Sequence, residues 1–190
     1  DMDAEMIGAA RIVYLEGYLF DKEAAKAAFR EAAKLAKAAG AKVALTLSDP
    51  FCVERHRDDF RKLVSEDADI VFANEKEITT LYEVNTFEEA ADRALQDCEL
   101  AVLTRSEAGS VIVGRGETTE VPADPVSEVL DATGAGDLYA AGFLYGLTQG
   151  LPLAACGRLG SLAAAEVISH IGARPEASLA DLAKKRNLLD

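Results

Sequence analysis

The sequence predicts an α/β protein built on a doubly wound, mostly parallel sheet. Three observations carry that reading. Short apolar runs alternate along the chain with longer stretches in which apolar residues recur every three or four positions. Several of the apolar runs are continuous rather than alternating, the pattern of strands covered on both faces. Strands that alternate with helices in this way favour parallel pairing.

The elements follow in order. Residues 11–15 (RIVYL) form the first predicted strand. Residues 21–39 read as a helix, with Ala, Leu and Phe at helical spacing, Lys and Glu on the other face, and Gly40 as the stop. Residues 42–47 (KVALTL) read as a buried strand, broken by Ser48-Asp49-Pro50. A helix is predicted over residues 54–65, a strand over 69–73 (DIVFA), two short helices over 75–82 and 87–96, and a strand over 101–104 (AVLT). The pattern then changes. Residues 110–113 (SVIV) and 118–121 read as short strands joined by Gly114-Arg115-Gly116, a hairpin or meander at one sheet edge. From Gly134 the chain turns helical, first as LYAAGFLYGLTQ and then as LAACGRLGSLAAAEVISHI. Interior glycines there cost about 1 kcal/mol each relative to Ala, so close helix packing or function is their expected reason. A last helix is predicted over residues 178–186. No repeat, low-complexity linker or domain boundary interrupts residues 1–190, and a single α/β domain is expected.

Charge and composition remove several function classes. The 190 residues carry 33 acidic and 20 basic side chains, a formal net charge of −13. Phosphate-backbone contacts need clustered Lys and Arg, so no nucleic-acid partner is expected. With 49% hydrophobic and 28% charged residues the composition is globular rather than disordered. No apolar run reaches the roughly 18–20 residues that span a bilayer, which leaves no expected membrane partner. The first residues, DMDAEMIGAARI, lack a basic region followed by an apolar one, so a cytoplasmic location is expected. Cys52, Cys98 and Cys156 are scattered, form no CxxC pair and read as reduced buried thiols. His56 and His170 form no metal-ligand pattern with cysteine in this reading. Arg55-His56-Arg57 is a small basic island, either a solvated helix face or a phosphate attractor, and His170 reads as a capping or packing residue.

The sharpest local signal is residues 131–137, DATGAGD, directly before a helix. Small residues let the backbone turn tightly and approach a ligand, and the unpaired first N–H groups of a helix make an anion site. The amides of Ala135, Gly136 and Asp137 could hold the oxygens of a transferring phosphoryl group, and Asp137 could accept the proton of an attacking hydroxyl. By spacing alone, Asp137 could equally be a favourable charge at a helix start. The second signal is Asn74 with Glu77 at the end of a strand. Ligands of open α/β sheets bind beyond the carboxyl ends of strands, and an amide and a carboxylate three apart could order Mg2+-bound waters. The same pair would also make an ordinary helix cap. The third is the loop from Thr104 through Ser106 to Gly109, a plain turn or a loop touching nucleotide phosphates.

Taken together these segments resemble the ribokinase family, the PfkB-type carbohydrate kinases. DATGAGD looks like the family's D-T-x-G-A-G-D run, Asn74 and Glu77 match its N-x-x-E motif, and Thr104 and Gly109 match its T-x-G-x-x-G loop, with Ser106 in place of the first glycine. GSLAAAEVISHIGARP resembles the Ala-rich helix and Gly-Ala turn that line the family's adenine pocket. Residues 45–51 (LTLSDPF) and Glu16-Gly17-Tyr18 resemble the adenosine-kinase-like bacterial members.

The resemblance implies a Rossmann-like, ribokinase-like sheet and ATP-dependent phosphotransfer to a hydroxyl of adenosine or a related nucleoside or sugar. It implies Asp137 as base, with Gly134, Ala135 and Gly136 as the anion hole. Asn74 and Glu77 would position Mg2+ and phosphate, Glu77 through water, while Thr104, Ser106, Gly109 and Ser161 would lie near ATP. Asp131 and Thr133 match the place where some members hold a monovalent cation such as K+. The resemblance covers the ATP-binding C-terminal part of the family, without its N-terminal strands and β-lid. Those would come from a missing N-terminal half or from a second chain, as in a homodimer, with the strand at residues 11–15 exposed as an association edge. Two other readings remain: a nucleotide-binding module without catalysis, and a ligand-free scaffold.

Overall fold

A computed structural model describes residues 2–114 and 116–189. Six strands form one sheet in sequence order: β1 (Ile12–Glu16), β2 (Lys42–Thr46), β3 (Ile70–Asn74), β4 (Leu100–Thr104), β5 (Ser110–Gly114) and β6 (Glu117–Val121). β1 pairs with β2 and β2 with β3 in parallel register, Leu15 opposite Leu45 and Leu45 opposite Val71. β4 begins beside the start of β3, where the Leu100 N–H donates to the Asp69 carbonyl (3.1 Å). Arg115, central to the predicted turn between β5 and β6, lies outside the described residues. Among those residues no helix is long and apolar enough to cross a membrane.

The chain divides into two compact units, one of residues 1–103 and 113–117, the other of residues 104–112 and 118–190. In the first, α1 (Ala4–Ala9) starts at an Asp3 cap, a short helix beyond those the sequence predicts. α2 (Glu23–Ala39) buries Phe29, Ala32, Ala33 and Ala36, and ends where Gly40 takes φ +78° and lets two carbonyls close onto its N–H, as predicted. Phe20, in a short 3-10 turn (Gly17–Asp21), stacks on Phe60 at 4.5 Å and tilts against Phe29 at 5.3 Å. Lys26 is buried beside them, and its ammonium is held by Asp59 (2.7 Å) and Glu23 (3.1 Å), partners that raise its pKa against burial.

One predicted helix is corrected. The expected helix at 54–65 is two: α3 (Pro50–Arg55) and α4 (Arg57–Glu66). Pro50 opens α3 because the first helical position needs no N–H, and the Asp49 carboxylate accepts from Phe51 and Cys52. Ser48-Asp49-Pro50 therefore starts a helix as well as ending a strand. The basic island at the break is engaged by neighbouring groups: Arg55 and His56 meet Asp21, while Arg57 reaches the Thr80 carbonyl and Glu83. α5 (Glu75–Tyr82) and α6 (Phe87–Asp97) fall where predicted.

In the second unit α7 (Ala135–Thr148) lies against α8 (Leu153–Val167), and the glycines explain how closely. A Cβ on Gly142 would sit 2.5 Å from the Leu159 carbonyl oxygen, and one on Gly160 2.7 Å from that of Tyr139. Backbone meets backbone along this seam, so the helix-propensity penalty of the glycines is offset by approach that no larger residue permits. The buried Tyr139 hydroxyl shares a 2.6 Å hydrogen bond with Ser110, and burial pushes it up to about 12. α9 (Leu179–Lys185) closes the unit, with Ala183 against Leu159 and Leu162. All three cysteines are buried thiols outside any disulfide, as expected.

Candidate active site

The parallel strands of the first unit end at one edge, where Ser48 donates to Glu16 (3.3 Å) and Asp49 caps α3. Asn74 ends β3 at that edge and caps α5. Its side-chain oxygen accepts the Glu77 N–H (2.8 Å), while its own N–H and amide group donate to the two Glu77 oxygens (2.9 and 2.7 Å). The pair thus makes the reciprocal capping box that the spacing allowed. Asn74 stays exposed, whereas Glu77 is 6% exposed. Burial pushes the Glu77 carboxyl up to about 7, against the pull of the Asn74 N–H, and the Asp49 charge adds to the rise. Asp49 was not among the expected site residues; its signal was an Asp-Pro pair directly after a strand.

A raised carboxyl pKa makes folding favour the protonated form. The stability this brings is full below about pH 4.5 and is lost as pH climbs through about 7. Glu77→Gln keeps one oxygen to accept the Asn74 N–H and, like the protonated carboxyl, carries no charge. It is expected to match the parent near pH 4 and to exceed it at pH 8 by up to about 3 kcal/mol. Urea unfolding across that range checks this, and a difference independent of pH would remove Glu77 as the titrating group.

The remaining expected residues lie in the second unit. Gly134 caps α7 with φ +81°, and a Cβ there would meet Ala173 at 3.0 Å. No side chain caps α7. The Ala135 N–H returns to the Ala132 carbonyl (3.2 Å), while among the described residues the N–H groups of Gly136 and Asp137 find no partner. The Asp137 carboxylate is exposed and likewise makes no hydrogen bond or ion pair among the described residues. Gly136 differs from its neighbour. Its φ is not positive, it lies in the first helical turn, and a Cβ built on it meets nothing within 4 Å.

Asp131 holds the segment in front of α7. One carboxylate oxygen accepts the Thr133 N–H (2.9 Å) and the other the Gly172 N–H (3.0 Å), and these bonds, the Thr133 contacts foremost, hold its pKa down to about 2. Leu130 N–H, next door, reaches the Ile168 carbonyl (2.9 Å). The loop from Thr104 to Gly109 is pinned by the Arg105 N–H on the Gly109 carbonyl (2.7 Å). Ser106, where the resembling motif has glycine, takes φ +51°, the left-handed region that favours glycine. The Ser161 hydroxyl accepts the Asp124 N–H (2.8 Å) and donates to the Pro122 carbonyl (3.3 Å), so it already ties α8 to the segment after β6.

One sheet of six strands, parallel from β1 through β3, with helices in the connections between those strands, defines the class of open α/β proteins. Within it, the chain belongs to the pfkB family of carbohydrate kinases, whose profile matches residues 1–179. A probable sugar kinase from Rhizobium etli superposes with a TM-score of 0.97 at 47% identity, over 100% of this chain and 58% of its own. Adenosine kinase from Sinorhizobium meliloti gives 0.95 at 48%, over 98% and 57%. Cytidine kinase of Thermococcus kodakarensis is 41% identical over 122 residues, 62% of this chain and 43% of its own length. The chain thus spans about half the length of the relatives it matches.

Proposed function

We propose that these residues supply the ATP-binding and proton-accepting part of a kinase that transfers a phosphoryl group to a hydroxyl of a nucleoside, adenosine first, or of a related sugar. The observation that carries this reading is Gly136. Glycine in a helix costs about 1 kcal/mol relative to Ala, yet nothing within 4 Å excludes a side chain there. The fold does not require it, whereas a phosphate brought against the first N–H groups of α7 does. Gly134 sets the turn, the Ala135 N–H closes it on the Ala132 carbonyl, and the unpartnered amides of Gly136 and Asp137 face the anion, with Ala135 joining them only as that turn opens. Asp137, with no competing partner, takes the proton of the attacking hydroxyl as the phosphorus–oxygen bond to the leaving ADP breaks and the new one forms. The loop Thr104–Ser106–Gly109 and Ser161 lie toward the nucleotide in this reading.

Both Glu77 oxygens already accept from Asn74 and the carboxylate is buried. That arrangement fits Mg2+ held through water rather than by direct ligation. The ion supplies charge neutralisation at the phosphates. Asp131 and Thr133, tied to Gly172, are where a monovalent cation such as K+ would support the loop. A nucleoside is favoured over a bare sugar by two nucleoside kinases among the relatives. Phe51 supports the same choice: it is 63% exposed after β2, a ring face that a nucleobase can use.

Gly136→Ala tests the carrying observation. The variant is expected to unfold at the same urea concentration or a higher one, a gain of up to about 1 kcal/mol, while ATP affinity by calorimetry falls at least tenfold. Unchanged ATP affinity would sink the phosphate site. A second reading, ATP binding without transfer by these residues alone, rests on their covering only 57–58% of the similar solved chains. ATP binding without acceptor-dependent turnover would favour it.

A further inference from the structure

We propose that Asp21, Cys52 and His56 form a zinc(II) site. One ligand atom from each lies within 4.8 Å of the others. Cys52 and His56 stand four residues apart, one helical turn, His56 at the break that ends α3. Asp21 ends the 3-10 turn after β1, and its Oδ1 is 2.9 Å from His56 Nε2. The sequence reading saw no histidine–cysteine metal pattern; the third ligand is supplied from 31 residues upstream of Cys52, which no local motif displays.

The donor set selects the metal. A thiolate, an imidazole and a carboxylate suit a borderline-soft cation such as zinc, whereas Mg2+ takes oxygen ligands. Three protein ligands leave a fourth position for water on the exposed Asp21 side. Zinc at about 2.0–2.3 Å from each donor sets neighbouring donors about 3.3–3.7 Å apart. Closing the set therefore takes a shift of about 1 Å, within reach of an exposed carboxylate and a side chain at a helix break. Arg55 already grips the carboxylate, with Nη2 3.1 Å from both oxygens, and can stay on Oδ2 when Oδ1 meets the ion. Phe20, edge-on to the His56 ring at 6.4 Å, gives the site an apolar back wall.

The same three residues do not make an activated nucleophile. The Cys52 thiol is 1% exposed and donates to the Gly17 carbonyl (3.5 Å). Burial first, and then the Asp21 charge, push its pKa up, the reverse of what a reactive thiol needs. A metal ion changes that balance: the S–H bond is replaced by S–Zn and one proton leaves to solvent. The ion would fasten the turn after β1 to the helix after β2.

Cobalt(II) is titrated into the reduced, chelator-stripped chain. One equivalent is expected to bind with a sulfur-to-cobalt charge-transfer band and the release of one proton per ion, and zinc is expected to displace the cobalt and abolish the band with no further proton release. Cys52→Ser should abolish the band, while Cys98→Ser and Cys156→Ser keep it. His56→Gln and Asp21→Asn alter less buried side chains and should each weaken zinc at least tenfold, so the test stands even where Cys52→Ser fails to fold. A parent without the band, a band that survives Cys52→Ser, or zinc affinity untouched by both His56→Gln and Asp21→Asn overturns the site.

Discussion

Asp137→Asn is expected to lower acceptor-dependent AMP formation from adenosine and Mg-ATP by about 10²–10⁴-fold, the range that a positioned general base supplies. The substitution keeps the shape of the side chain and removes its charge together with its ability to take a proton. Asp137 has no hydrogen-bond partner among the described residues, so no buried group is stranded. Losing a negative charge in the first turn of α7 costs only about 0.3–1 kcal/mol. ATP affinity should hold or tighten, since the lost charge faces a polyanion. Turnover by the variant at the parental rate would dismiss Asp137 as the base. Loss of turnover together with ATP binding would give it a binding role instead.

Gly109→Ala is expected to have the largest effect on stability. Gly109 sits at φ +85°, ψ −133°, and a Cβ there would stand 2.1 Å from the Val121 carbonyl oxygen and 2.8 Å from the Ala123 nitrogen. Both neighbours are backbone and cannot swing aside. Strain of about 1–3 kcal/mol adds to an overpacking cost of a similar size. The sum, about 2–6 kcal/mol, is a large share of the 5–15 kcal/mol that holds a typical domain. Urea unfolding of the variant measures it, and a loss below about 1 kcal/mol would mean that the loop yields. The same change at Gly136 should cost nothing. The contrast would separate a glycine the fold requires from one that it does not.

Much of this was readable in the residues because the signals were local. Apolar runs located the strands within a residue or two, and Gly40 ended α2 because a left-handed stop needs little besides its own backbone. The glycines of α7 and α8 announced close packing, though not that Gly142 faces Leu159 and Gly160 faces Tyr139, which depends on how two helices cross. Asn74 and Glu77 showed the limit of spacing arguments. One arrangement of atoms is the cap, and the same arrangement is the proposed outer shell for Mg2+. The break at His56 was hidden because residues 54–65 keep a helical pattern through it, and the pairing of Arg55 and His56 with Asp21 is long-range. Ser161 illustrates the converse. Its place in a motif pointed toward the nucleotide, and only the fold reveals that its hydroxyl already serves the segment after β6.

The Asp131 carboxylate has a wider consequence. Its bond to Gly172 joins residues 41 apart in sequence, and everything between them, α7 and α8 included, lies inside that span. The helix pair is thus a closed loop with a clasp, and its two ends meet at one side chain. With a pKa near 2, the clasp stays charged over the whole physiological range. A cation arriving there would act on both ends of the loop together, tightening or loosening the mouth of α7 without touching either helix.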